Sequence, residues 1–377
     1  MNSLHIVLAP DSFKGSASAL DVAHALGEGL QQALPQARLT LAPMADGGEG
    51  TLDCVAAACA GHWRHCSLNA IHGRAIEAPW YHTDEGRAVV ESASVLGLPL
   101  VEATADAPAL RARSSQALGE LLRTILDDGV RDIAVGLGGS ACNDAGLGLL
   151  VALGAVARDR DGQVIAPSMN GLLALATLDL DDLDPRLADT CITALCDVDN
   201  PLLGSQGASR VYGPQKGLSN DEIEAVEAAF QRLAGQCPEH ADTTAPGSGA
   251  AGGLGFALAV LGAELAPGAN TLMDMTGLRA VLDDADLVIT GEGRSDSQTL
   301  SGKLPLAIAR AAAPTPTVLV SGAVAEDARA TLETHFAACH TLVERAGSVD
   351  AACADPLHWL RLAAREIGDT ALSLADR

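Results

Sequence analysis

An apolar strand, a turn rich in Gly and charged residues, and then a helix follow one another in this order at both ends of the chain. Near the N-terminus, LHIVLA (residues 4–9) leads into PDSFKGS and a helical pattern over residues 18–34. A second strand, predicted at 38–42, leads into PMADGGEGT and a helix to about residue 59. Such alternation is typical of a parallel sheet covered by helices.

The C-terminal third repeats this order. Strands are predicted at 286–290, 317–321 and 340–344, with the loop GEGRSDSQTLSGK and a helix at 304–312 after the first of them. Two N-terminal and three C-terminal strands would form one five-stranded sheet. We therefore predict the α/β fold class, with a flavodoxin-like doubly wound parallel sheet and a second α/β domain inserted into it.

The middle of the chain has strands and helices of its own. Strands are predicted at 87–91, 132–136 and 191–196, and a helix at 114–128. The predicted domains are residues 1–66 plus 269–377, a discontinuous flavodoxin-like domain, and the inserted domain 67–268. We expect the active site in the cleft between them.

The charge balance disfavours two classes of partner, nucleic acids and anionic membranes. With 48 acidic against 24 basic residues, the formal charge is −24, which repels nucleic acids and anionic membranes. The N-terminus lacks the pattern of a signal peptide, and no apolar run reaches the roughly 18 residues of a membrane span. The nine Cys are scattered without CxxC spacing, as expected of free thiols. We therefore expect a cytoplasmic protein.

Lysine is rare, and each one lies beside a glycine. Of the 24 basic residues only Lys14, Lys216 and Lys303 are lysines. A compact ammonium suits contact with phosphate better than a planar guanidinium does. We interpret Lys14 and Lys303 as phosphate contacts and leave open that Lys216 closes a turn. Chance survival of the three is the alternative.

Three unusual loops follow strands of the predicted flavodoxin-like domain. Ligands of parallel α/β sheets bind at the carboxyl ends of strands, where glycine lets backbone N–H groups approach anions. The candidate residues of these loops and of the helix start after them are Asp11, Ser12, Lys14, Asp46, Gly47, Gly48, Glu49, Glu292, Arg294, Asp296 and Lys303.

The inserted domain contributes GLGGSACND, GSGAAGGLG and CDVDN. Its candidate binding residues are Gly138, Gly139, Ser140, Asn143, Asp144, Asp197, Asn200, Gly252 and Gly253. Neither Gly-rich run fits a P-loop or a dinucleotide fingerprint, and tight helix packing is the alternative explanation for both. Glu91, at a strand end, is either a core carboxylate or a site acid.

These residue types together favour phosphoryl transfer. That reaction needs charge neutralisation by Mg²⁺ and Lys, and a carboxylate that receives the proton of the acceptor hydroxyl. We expect Asp46, Asp197 and Asp296 to divide Mg²⁺ ligation and base catalysis. Lys14 would contact phosphate, and Arg294 would clamp a carboxylate or phosphate.

Seven motifs resemble, in the same order, those of the type I glycerate kinases, the bacterial D-glycerate kinases that use ATP. The motifs are PDSFKGS, PMADGGEGT, GLGGSACNDAGLG, CDVDNP, GASRVYGPQKG, PGSGAAGGLG and GEGRSDSQTLSGK. The resemblance implies a flavodoxin-like domain with an inserted α/β domain, and phosphorylation of D-glycerate by ATP to 2-phosphoglycerate. Departures at Ser114–Glu120, Cys142 and Ala145 affect the expected shape of the acceptor pocket.

Two other classes of function remain as alternatives. One is a non-catalytic sensor that binds a phosphorylated small acid, and the other is a dehydrogenase. The expected partner is the small-molecule substrate D-glycerate, with no nucleic acid and no membrane. A homodimer is one assembly that the sequence leaves open.

Overall fold

The computed structural model describes residues 3–238, 241–300 and 303–375. The chain divides into two compact units. The flavodoxin-like unit comprises the chain up to Asp46, residues 53–59, and the chain from Ala269 onward. The inserted unit comprises residues 47–52 and 60–268. Among the described residues, no helix combines the length and apolar character needed to span a bilayer.

The strands follow in chain order. They are β1 (His5–Pro10), β2 (Arg38–Leu41), β3 (Gly61–Asn69), β4 (Ala75–Thr83), β5 (Arg87–Glu91), β6 (Asp132–Gly136), β7 (Val156–Arg158), β8 (Thr177–Asp179), β9 (Cys191–Cys196), β10 (Glu264–Pro267), β11 (Leu287–Ser295), β12 (Thr317–Val324) and β13 (Ala338–Thr341).

The α-helices are numbered in the same way. They are α1 (Ala19–Ala33), α2 (Thr51–Ala58), α3 (Ser92–Leu96), α4 (Leu98–Glu102), α5 (Gln116–Asp127), α6 (Leu147–Ala152), α7 (Met169–Ala174), α8 (Ala208–Tyr212), α9 (Asn220–Ala234), α10 (Ala250–Val260), α11 (Gly268–Met275), α12 (Leu278–Leu282), α13 (Ser297–Leu300), α14 (Leu304–Ala312), α15 (Glu326–His335), α16 (Leu342–Ala346), α17 (Val349–Ala354) and α18 (Pro356–Ala375). Short 3₁₀ helices lie at Leu110–Ala112, Pro185–Asp189 and Pro214–Lys216.

The sheet of the flavodoxin-like unit has five strands in the order β13-β12-β11-β1-β2, all parallel. The central strands β1, β11 and β12 are largely buried on both faces, as their apolar sequences require, whereas the edge strands β2 and β13 are mostly half-buried. Val318 and Val320 of β12 belong to the core beneath α1 and α18. Leu319, between them, belongs to the core beneath α15 with Leu332. The predicted α/β fold class is confirmed.

Two predicted boundaries in this unit were wrong. β11 continues to Ser295 because Gly291–Ser295 pairs with β12, so the first part of GEGRSDSQTLSGK is strand rather than loop. The strand predicted at 340–344 ends at Thr341, where the Thr341 side chain accepts a hydrogen bond from the Glu344 N–H and caps α16. Pairing between distant strands and a helix cap decided these two boundaries.

The sheet of the inserted unit has six strands in the order β10-β9-β6-β5-β4-β3. β5, β6, β9 and β10 run parallel, and β3 and β4 form an antiparallel hairpin beside them. The boundary predicted between residues 66 and 67 falls inside β3, which belongs entirely to this sheet. β7 and β8 form a separate two-stranded sheet.

Candidate functional site

A cavity of about 320 Å³ lies in the flavodoxin-like unit, at the carboxyl ends of its parallel strands. Its polar lining comes from the loop after β1, the segment after β2, the end of β11 and the start of α14. Eight of the predicted residues line it, namely Asp11, Ser12, Lys14, Asp46, Glu292, Arg294, Asp296 and Lys303. The structure therefore brings together most of the site residues predicted for this unit.

Asp11 is the most perturbed acid of the cavity. It is 7% exposed and accepts a hydrogen bond from the Ser12 N–H at 2.6 Å. Burial raises the pKa of Asp11 to about 8, and the charges of Asp46 and Glu292 act in the same direction. The Ser12 hydrogen bond and the Lys14 charge oppose this rise. Asp11 can therefore hold or release a proton near neutral pH.

Glu292 is fixed by neighbouring hydroxyl groups. The Thr299 hydroxyl donates to its carboxylate at 2.6 Å and the Ser295 hydroxyl at 2.8 Å. Burial raises the pKa of Glu292, while these two hydrogen bonds and the charge of Lys303 lower it. This carboxylate is therefore held in one orientation at the cavity wall.

The cations of the cavity extend from more exposed positions. Lys14 is exposed and Lys303 is half-buried at the start of α14. The side chain of Arg294 is 74% exposed, and its Nε lies 3.9 Å from a carboxylate oxygen of Asp296. Long cationic side chains above buried carboxylates can neutralise a polyphosphate or a carboxylate ligand.

The donor atoms of the cavity suit a hard divalent cation. Carboxylates are the protein ligands that Mg²⁺ prefers, and Mg²⁺ is commonly held by one or two of them together with substrate phosphates. Within residues 3–238, 241–300 and 303–375, no three His, Cys, Asp or Glu side chains form a complete metal site. The residues present thus fit an ion that enters with a phosphate ligand.

The remaining predicted residues lie in the inserted unit. Among them Gly47 and Gly48 are buried and Glu49 is exposed. A Cβ on Gly138 would lie 2.6 Å from the Gly48 Cα, and one on Gly47 would lie 2.9 Å from the Leu195 carbonyl oxygen. Two stretches of backbone therefore touch here, and the glycines of ADGGEG and GLGG permit that approach.

Asp144 is a buried carboxylate that accepts hydrogen bonds from the surrounding chain. It is fully buried and accepts hydrogen bonds from the Ser115 N–H and hydroxyl and from the Gly146 and Gly148 N–H groups. Burial raises the pKa of Asp144, and these hydrogen bonds lower it. The carboxylate thus joins the loop after β6 to the start of α5. Its neighbour Asn143 is also fully buried and donates to the Ser209 hydroxyl at 3.1 Å.

Lys216 supports the same loop, a role that sequence analysis only partly anticipated. Its ammonium is buried and donates to the Cys142 carbonyl at 2.7 Å and the Ser140 hydroxyl at 3.1 Å. Burial lowers the pKa of Lys216. The glycine after it, Gly217, has φ +100°, and this tight turn directs the lysine inward. In the sequence, the glycine after the lysine in GPQKG was the one indication that Lys216 lies at a turn.

Glycines 252 and 253 pack against this loop. A Cβ on Gly252 would lie 2.3 Å from the Cys142 carbonyl oxygen, and one on Gly253 would lie 2.6 Å from the Ala145 Cα. Both have φ in the left-handed region. Close packing, the alternative explanation from the sequence, thus accounts for these two glycines. In the same loop Gly139 is exposed and Ser140 is buried.

Asp197 and Asn200 follow β9. Asp197 is half-buried. The Asn200 side chain donates to the Gln206 carbonyl at 2.8 Å and accepts from the Tyr212 hydroxyl at 2.6 Å. The Glu91 carboxylate accepts a hydrogen bond from the Leu52 N–H at 2.6 Å, which gives it a structural partner in this unit.

Comparison with known proteins identifies the family. The model of the glycerate kinase family matches residues 6–372. The chain is 38% identical to the glycerate 2-kinase of Escherichia coli over 97% of its length and 98% of that protein. It is 36% identical to the glycerate kinase of Bacillus subtilis over 97% of each chain. A crystal structure described as a putative glycerate kinase 2 from Salmonella typhimurium superposes with a TM-score of 0.82 at 37% identity, covering 99% of both chains. The chain belongs to the glycerate kinase family.

Proposed function

We propose that the protein is an ATP- and Mg²⁺-dependent kinase that phosphorylates the 2-hydroxyl of D-glycerate to give 2-phosphoglycerate, in the catabolism of organic acids. The observation that carries the proposal is the cavity of the flavodoxin-like unit, where buried carboxylates and three cations meet at the ends of parallel strands. Family membership over nearly the whole chain, and the name of the Escherichia coli relative, support the reaction and its product.

In this proposal the cations bind phosphate. Lys14 and Lys303 offset the charge of the transferring group, and Arg294 offers a planar pair of donors to a phosphate or carboxylate. Mg²⁺, when bound, neutralises charge on the phosphates, and Asp46 and Asp296 are the carboxylates proposed to hold it. Asp11 and Glu292 complete the acidic lining.

The inserted unit is proposed to bind the acceptor. Its loop after β6, with Gly138, Gly139 and Ser140, supplies polar groups for glycerate, and Asn143, Asp144 and Lys216 hold the loop in shape. Asp197 takes the proton from the 2-hydroxyl as the oxygen bonds to the γ-phosphorus and the bond from that phosphorus to ADP breaks. Asn200, Gly47, Gly48, Glu49, Gly252 and Gly253 shape the surrounding loops.

Purified protein with Mg²⁺, ATP and D-glycerate provides the test. We expect ADP to form only when glycerate is present, and enolase added alone to convert the product to phosphoenolpyruvate, since enolase acts on 2-phosphoglycerate. A product that needs phosphoglycerate mutase before enolase acts would overturn the 2-hydroxyl assignment. ADP formation independent of glycerate, or none at all, would overturn the proposed kinase.

A further inference from the structure

The cavity of the flavodoxin-like unit has an apolar wall that the sequence did not predict. Three consecutive helices, α16, α17 and α18, build it at the C-terminal end of β13. The wall residues are Leu342, Val343, Val349, Ala352, Cys353 and Pro356. The polar lining lies on the loops after β1 and β2 and on the end of β11 and the start of α14. The cavity therefore has a charged, polar side and an apolar side.

Part of this wall is buried in the unit, and part of it is exposed to solvent. The side chains of Leu342 and Ala352 are 1% and 4% exposed and anchor α16 and α17 to the core. Val349, on the same wall, is 57% exposed, which is unusual for a large apolar side chain in this chain. Val349 nevertheless lines the cavity, and small-molecule pockets are lined mainly by apolar side chains around a few polar groups.

Glycerate matches only the charged, polar side. It is a small acid with hydroxyl and carboxylate groups and no apolar face, so it gains nothing from the wall. A nucleoside triphosphate has an anionic chain at one end and a flat, largely apolar base at the other. The cavity volume of about 320 Å³ lies at the low end of the range for sites that take such ligands.

We propose that the flavodoxin-like unit alone binds the nucleotide, with the phosphates towards Lys14, Arg294 and Lys303 and the base against Val349, Cys353 and their neighbours on α16–α18. This inference rests on the proposed kinase function and deepens it. It also separates the donor site from the Gly-rich loops of the inserted unit, which then serve the acceptor and not the nucleotide.

Cys353 offers a direct test because its thiol lies on the wall and is exposed. The full-length protein is alkylated with N-ethylmaleimide, and each cysteine is followed by peptide mass spectrometry. At Mg·ATP ten times its dissociation constant, we expect Cys353 to react roughly tenfold more slowly, as simple occupancy predicts. Cys191, exposed at the start of β9 in the inserted unit, is the internal control and should react at an unchanged rate.

Two further ligands separate the parts of the cavity. Inorganic tripolyphosphate has no base, and D-glycerate has neither base nor polyphosphate, so both should leave Cys353 reactive. Equal protection by tripolyphosphate would overturn the placement of the base. An unchanged rate at Cys353 in saturating Mg·ATP would overturn the nucleotide site altogether.

Val349→Asn supplies a kinetic test of the same wall. Loss of apolar contact with the base should raise KM for ATP about fivefold or more, with kcat and KM for glycerate unchanged. The matched control is Val164→Asn, which changes a similarly exposed valine of the inserted unit and should leave all three constants unchanged. A rise in KM for glycerate alone would assign the wall to the acceptor and contradict the inference.

The outcomes distinguish this inference from the proposed reaction. Glycerate-dependent ADP formation together with unprotected Cys353 would retain the kinase and overturn the nucleotide site. Protection of Cys353 by Mg·ATP without any glycerate phosphorylation would retain the nucleotide site and overturn the proposed reaction.

Discussion

The two units share a sequence pattern, but the charged residues of that pattern have different surroundings in each. In both, glycines and charged residues follow parallel strands. In the flavodoxin-like unit the charged side chains, such as Lys14 and Arg294, extend from exposed positions around a cavity. In the inserted unit Asp144 and Lys216 are buried and bonded to the loop itself. Glycine beside charge thus accompanies exposed cations around a cavity in one unit and buried, hydrogen-bonded side chains in the other.

Among the substitutions considered, Asp197→Asn should have the largest effect, because it removes the proposed proton acceptor. It tests whether the inserted unit takes part in the reaction or only holds its loops in shape. The substitution keeps the size of the side chain but removes the proton acceptor. We expect kcat to fall about 100-fold or more, with little change in melting temperature. Asp199→Asn, two residues away and exposed, is the matched control and should retain activity. Near-normal kcat in folded Asp197→Asn would exclude this residue from the mechanism.

Lys216→Met tests whether the buried lysine of the inserted unit stabilises the fold. Loss of the ammonium leaves the buried Cys142 carbonyl and Ser140 hydroxyl without this donor, which should cost roughly 1–3 kcal/mol of unfolding free energy. Differential scanning calorimetry should therefore give a lower melting temperature. Lys14→Met, at an exposed lysine, should leave the melting temperature unchanged. Equal stability of the two variants would contradict a structural role for the buried Lys216 that the exposed Lys14 lacks.

Lys14→Arg and Lys303→Arg test the proposed phosphate contacts. Both substitutions keep the charge, but a guanidinium is larger and planar and cannot take the place of an ammonium against phosphate. We expect kcat/KM for ATP to fall roughly tenfold in each, equivalent to about 1.4 kcal/mol of transition-state binding. Wild-type kinetics in both variants would favour chance survival of these lysines.

The pKa of Asp11 predicts that stability in the absence of ligands depends on pH. Its ordinary value of 3.8 is raised to about 8, so the folded protein retains a proton that the unfolded chain has lost. Its contribution to the unfolding free energy is therefore largest at low pH and falls as the pH rises between these values, by at most about 1.4 kcal/mol per pH unit.

Asp11→Asn should flatten this fall. Denaturant titrations at pH 6 and pH 8 should show a smaller loss of unfolding free energy in the variant than in the wild type. Asp53→Asn, which removes an exposed carboxylate of the same unit, should preserve the wild-type difference. A wild-type slope in Asp11→Asn would mean that another group titrates over this range.

Local sequence predicted much of the fold. β5, β6, β9 and α14 lie where the apolar runs and their flanking turn residues placed them. The extension of β11 depends on pairing with β12, which no local pattern contains. The assignment of residues 47–52 to the inserted unit likewise depends on backbone contact with Gly138, which is distant in sequence.

The candidate site was predictable in its polar half only. Asp11, Lys14 and Asp296 are recognisable because three loops rich in Gly and charged residues follow strands that are predicted to share one sheet. The apolar wall is not, because Val349 and Cys353 resemble any helix residues until the fold brings them to the cavity. The bonding of Asp144 is hidden for the same reason, since its partners lie on two elements.

We propose that the flavodoxin-like unit binds the nucleotide and that the inserted unit binds the acceptor. The test is hydrogen exchange followed by mass spectrometry. In one experiment a non-hydrolysable ATP analogue is added with Mg²⁺, and in the other D-glycerate is added alone. We predict that the analogue slows exchange in residues 11–16 and 342–356, and that glycerate slows it in 138–144. Slower exchange at 138–144 and 252–253 with the analogue, and unchanged exchange at 342–356, would instead assign the nucleotide to the inserted unit.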